Sequence, residues 1–61
     1  MEIEMNIDED TAFSIRVKID SIIRNAIAAR DAAQMANWSD VRDRLARVET
    51  DICFIAEDLE A

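Results

Sequence analysis

Few side chains in this sequence are of a type that does chemistry. There is no His and no Tyr, and Cys53 is the single thiol. A thiolate nucleophile needs a base or a cationic neighbour to activate it, and Cys53 has no imidazole to use. At helical spacing its neighbours are Ala46 and Ala56, which predicts a small buried hydrophobe at the edge of an apolar face. Without glycine the chain has no phosphate-cradling loop. The acids at 8–10 and 57–60 lack the spacing and the glycine of a calcium loop, so neither a metal nor a cofactor is expected. These residue types predict a protein that is not an enzyme and acts by binding.

The side chains that suit binding are of two kinds. If residues 39–59 are helical, Phe54 lies opposite the apolar stripe, among Arg47, Thr50, Asp51, Glu57 and Asp58. An aromatic ring inside a charged rim is the anatomy of an interface anchor. The second kind is the acidic start of the chain, Glu2, Glu4, Asp8, Glu9 and Asp10. Such a row of carboxylates can imitate nucleic-acid phosphates and occupy a protein that binds them.

Charge distribution supports a protein partner. The net charge is −7 over 61 residues. Residues 1–12 carry five acids and no base, and residues 51–61 carry four acids and no base. Residues 13–36 sum to +2 and residues 37–50 to zero. Phosphates repel such a chain unless a local basic patch overcomes the field. No run reaches the roughly 18 apolar residues of a membrane span. The first ten residues, MEIEMNIDED, lack the basic and apolar regions of a secretory leader. A lone cysteine fits a reducing compartment, and a cytoplasmic location is expected.

Positioning these groups takes secondary structure. Met1, Ile3, Met5 and Ile7 alternate with polar residues, and so do Phe13, Ile15, Val17 and Ile19. Period two is the pattern of a strand with one apolar face. The spacing predicts strands over 1–8 and 13–19, paired as a β-hairpin. That register sets Glu4 opposite Arg16 and Glu2 opposite Lys18, pairs that favour it modestly. A competing pattern runs through the same residues. Ala12, Ile15, Ile19, Ile22, Ala26, Ala29, Ala33 and Ala36 follow 3-4 spacing, which would make 11–36 one helix. The strand is preferred for 13–19 because it buries Phe13 and Val17.

Helices are predicted over 21–36 and 39–59. Asp20 or Ser21 can cap the first, and its alanines have the highest helix propensity. Asn37 suits the left-handed position after that helix, and Asn37 or Ser39 can cap the second. Trp38, Val41, Leu45, Val48, Ile52, Ile55 and Leu59 form an unbroken amphipathic seam. The large residues near the turn, Leu45 among them, are expected to pack on the alanine-rich end of the first helix.

The strand-like run from Phe13 to Asp20, two helices, and the stretch Asn37-Trp38-Ser39-Asp40-Val41-Arg42 resemble the ribbon-helix-helix family of DNA-binding repressors, over about residues 13–52. The resemblance implies a dimer whose paired strands read the major groove through Ser14, Arg16 and Lys18. It also implies a phosphate held by backbone N–H groups at the start of the second helix. The missing turn glycine, the longer helices and the acidic charge depart from the family.

The fold expected is therefore α+β, a single domain over 1–61 with an N-terminal β-hairpin followed by an antiparallel helical hairpin. The alternative is an all-α helical hairpin forming a dimeric four-helix bundle. A chain this short has no intrachain disulfide to hold it, so a homodimer is expected. The expected function is that of a small acidic protein-binding regulator or inhibitor, of the kind phages and mobile elements encode. A DNA-binding repressor or antitoxin is the rival, and only that rival gives the chain a nucleic-acid partner.

Overall fold

Residues 9–34 form one continuous helix where the sequence predicted a strand and then a helix. The computed structural model describes residues 7–60. It has two helices, α1 over Glu9–Gln34 and α2 over Trp38–Glu60, joined by a turn over 35–37. They run antiparallel and pack along their length. The expected β-hairpin is overturned: among the described residues there is no strand, and 13–19 lie inside α1. Residues 1–6, including Glu2 and Glu4 and most of the expected first strand, lie outside the described residues. The all-α helical hairpin is the architecture observed.

Local chemistry explains why the helix won. Asp8 is extended, at φ −71° and ψ 166°, and its carboxylate accepts the Thr11 N–H at 2.8 Å. Its carbonyl accepts the Ala12 N–H at 2.9 Å. This is an N-cap, placed twelve residues before the expected cap at Asp20 or Ser21. Glu9 and Asp10 occupy the first turn, where the helix dipole favours negative charge. The same four residues, Glu9 to Ala12, would have made the hairpin turn, yet they include no residue suited to a tight one. Helix initiation was strongly encoded there and reversal was not.

The turn closes α1 with a Schellman motif. Asn37 N–H donates to Ala32 O at 2.8 Å, and Ala36 N–H donates to Ala33 O at 3.0 Å. Ala36 takes the left-handed conformation at φ 56°, the position assigned to Asn37 from sequence. Asn37 instead begins α2: its side-chain oxygen accepts the Asp40 N–H at 3.3 Å, as an N-cap does.

The contact between the helices is narrow. Only Ala29 and Ala32 are buried among the described residues. The α2 side chains turned toward α1 are Val41, Arg44, Val48, Asp51, Ile55 and Asp58, all half-buried. This face alternates apolar and charged residues, so it differs from the all-apolar seam read from the sequence. Leu45, expected in the core, is 48% exposed and Ile52 is 53% exposed. The helix is rotated about its axis so that the seam only half faces α1.

Candidate functional site

The rotation gives the hairpin two unlike long sides, one polar and one apolar. On the polar side, Lys18 accounts for three interactions. Its ammonium donates to Ser14 Oγ at 2.8 Å, lies 3.6 Å from Asp58 Oδ2, and sits 5.7 Å from the centre of the Phe54 ring. Farther toward the turn, Asn25 donates to Ser21 O at 2.9 Å and accepts from Arg44 Nη1 at 3.3 Å. Arg44 also lies 3.7 Å from Asp40. Ser21 and Asn25 line a shallow groove with Arg47, Thr50 and Asp51. Ion pairs this exposed contribute about 0–1 kcal/mol each, so their part is to set register more than to hold the fold.

The opposite side is apolar. Positions seven apart fall on nearly one line of a helix. On α2, Trp38, Leu45, Ile52 and Leu59 form such a line, at 65%, 48%, 53% and 38% exposure. Ile19, at 44%, occupies the matching shoulder of α1. Because α1 and α2 are antiparallel and share one polar side, these shoulders fall together on the other. Ile23 continues the surface around α1, and Phe13 and Val17 lie farther round on its back. The sequence contained the signal, since the two 3-4 seams trace this side. What it missed was that each seam is split, with Val41, Val48 and Ile55 turned toward α1 and Ile19, Trp38, Leu45, Ile52 and Leu59 left on the side of the hairpin.

The predicted site residues are distributed as follows. Phe54 is half exposed, on the polar shoulder beside Lys18, nearer α1 than a position opposite the seam. Asp51 and Asp58 turn toward α1 rather than outward, whereas Glu57 is exposed. Asp8, Glu9 and Asp10 are exposed at the start of α1. The antiparallel arrangement sets them at the same end of the hairpin as Glu57, Asp58 and Glu60. The Thr11 side chain, then its backbone N–H, hold the Asp8 carboxyl below its ordinary value. Ser14 and Lys18 share the polar side of α1, while Arg16, two residues away, points elsewhere and is exposed. The one-faced ribbon expected of Ser14, Arg16 and Lys18 is not formed, because two-residue spacing shares a face on a strand and separates on a helix.

Cys53 is a free thiol and exposed, not the buried hydrophobe expected. It lies on the outer surface of α2, away from α1, because the helix is rotated. Among the described residues no cluster of His, Cys, Asp and Glu converges to hold a metal ion, and no helix is long and apolar enough to cross a membrane. Fold and surface together define an open two-helix hairpin with an uncovered apolar side. No family model matches the chain, and comparison with curated proteins and with solved structures found no match.

Proposed function

We propose that this chain is a non-enzymatic protein-binding regulator or inhibitor. One observation carries the reading: two alanines are buried, while twelve large hydrophobic residues among those described keep 36% or more of their surface exposed. The part of that surface along Ile19, Trp38, Leu45, Ile52 and Leu59 lies on one side of the hairpin, and apolar surface so gathered marks a protein-interaction site. The acids gathered at the open end of the hairpin support a basic partner surface, and they give the nucleic-acid-mimic variant its charges. The lone exposed thiol is compatible with the reducing cytoplasm, where we place the protein.

The test is capture from the source cell with the tagged chain, alongside Phe54→Ala and the double change Phe13→Ala with Val17→Ala. The expected result is a specific protein that the wild type retains and at least one variant releases. Competition by duplex DNA for that captured protein would establish the mimic variant. A chain that retains no protein, or that shifts duplex DNA by itself at low salt, would overturn the reading.

A further inference from the structure

We infer that the apolar side of the hairpin is covered by a second copy of this chain, with the two turns at opposite ends of the resulting four-helix bundle. This rests on the binding reading and assigns the apolar side to self-association, leaving Phe13, Val17 and Phe54, which lie outside that side, to meet the regulated protein. Three independent features point to a self-complementary partner in that orientation.

The first is area. Ile19, Ile23, Trp38, Leu45, Ile52 and Leu59 are exposed by 38–65%. Side chains of these sizes present roughly 600 Å² of apolar surface on one side, against about 800 Å² per partner in a standard interface. The polar margins of that side supply the remainder. Two copies related by a two-fold axis bury the same patch on both chains, so nothing of it is left over.

The second is volume. The turn sets which residues of α1 and α2 stand level, to within a helical turn, as the Lys18–Asp58 and Asn25–Arg44 contacts require. Ala33 and Val41 share the level nearest the turn, then Ala29 and Leu45, then Ala26 and Val48. Beyond them come Ile22 with Ile52, Ile19 with Ile55, and Ile15 with Leu59. The half near the turn thus has one alanine and one larger residue per level, and the far half has two large residues. Two hairpins with their turns together would stack four large side chains at one end and leave voids at the other. With turns at opposite ends, every level holds one alanine and three large residues. Interiors are packed at uniform density, so the second arrangement is the one the side chains fit.

The third is charge. Asp8, Glu9, Asp10, Glu57, Asp58 and Glu60 are all at the open end, whereas Arg30, Arg42 and Arg44 balance Asp31, Asp40 and Asp43 around the turn. Turns placed together would crowd two acidic ends. Turns placed apart set each acidic end beside a neutral one.

Sedimentation equilibrium of the full chain at rising concentration should give twice the 6.9 kDa chain mass. Leu45→Asp should shift the equilibrium at least tenfold toward the single chain. Because that variant can also unfold, orientation is read independently in a chain carrying Cys53→Ser and Ser39→Cys, spin-labelled beside the turn. Turns at opposite ends give a label separation of about 35 Å or more, the length of α2 at 1.5 Å per residue. A single-chain mass at every concentration, a higher oligomer, or a separation of about 20 Å overturns the inference. A single-chain protein that still captures a partner overturns the pairing alone. A dimer that captures nothing supports the pairing and removes the regulator.

Discussion

Arg44 donates to the side-chain oxygen of Asn25 at 3.3 Å, the one side-chain hydrogen bond that crosses between the helices among the described residues. Both side chains are only partly buried, so neither is stranded when the other is removed. The expected outcome is a modest coupling, about 0.5–1.5 kcal/mol, in a double-mutant cycle of Asn25→Ala and Arg44→Ala. Urea unfolding of the four proteins measures it. Additive effects would mean that the bond does not hold the helices in register.

Ala36 stands in the left-handed region, where a Cβ is unfavourable by about 1–2 kcal/mol. Ala36→Gly relieves that strain and adds freedom to the unfolded chain, an opposing effect of about 0.4–1 kcal/mol. The net expectation is a gain of about 0.5–1 kcal/mol, the difference of those two effects. Thermal melts at matched concentration check it. Ala36→Val should lower the melting temperature, because a β-branched residue fits this conformation worse than alanine.

Asp8 contributes through its ionised form. Its carboxyl is held below the ordinary value of 3.8 in the folded chain, so its contribution is present above that pH and is lost as the pH falls through the lower folded value. Asp8→Asn keeps a capping oxygen and removes the titration, so the wild type and this variant should converge in stability at the acid end. Asp8→Ala should fray the first turn at every pH. Helical circular dichroism between neutral and acidic pH distinguishes the three proteins.

Leu45→Ala tests the proposed pairing of hairpins. Leu45 is 48% exposed in the single hairpin, whereas Val48, one turn on, is half-buried against α1. Loss of a fully buried leucine costs about 2–5 kcal/mol. Leu45→Ala should approach that range only at concentrations where the chain is assembled, and fall well short of it when the chain is dilute. Val48→Ala should lower stability at both concentrations, because part of its contact is with α1 inside the single hairpin.

The second helix was legible in the sequence almost to its ends, because the seam from Trp38 to Leu59 has one reading at period 3.6. The first helix was not. Phe13, Ile15, Val17 and Ile19 satisfy period two, and Ile15, Ile19 and Ile22 satisfy the helical period at the same time. The strand reading buries Phe13 and Val17, and the structure leaves both exposed, at 66% and 51%. Both residues stay at the surface of the helix, so their burial gave no ground for preferring the strand. For the surface, the seams placed all their residues between α1 and α2, where only Val41, Val48 and Ile55 of the second seam are turned. A heptad stripe on a hairpin faces the axis of a bundle, which lies to one side of the plane containing its two helices. The sequence surrounds Phe54 with Arg47, Thr50, Asp51, Glu57 and Asp58 but omits Lys18, which reaches the ring from a segment whose alternation reads as a strand.

The turn over 35–37 lies near the middle of the chain, and this sets the order of events when the protein folds. Contacts next to the turn close short loops, and those between Lys18 and Asp58 close the longest. Loop-closure entropy rises with length, so the alanine-rich levels form first and the hairpin zips outward. Helix–coil relaxation takes about 0.1–1 μs, far faster than the meeting of two chains in dilute solution. Refolding should then show a fast phase independent of concentration and a slow phase that accelerates with it. Newly made chains would present their apolar side bare until they met a partner. The lifetime of that bare state would be set by abundance, so the amount of this protein in a cell would itself determine how much of it is assembled.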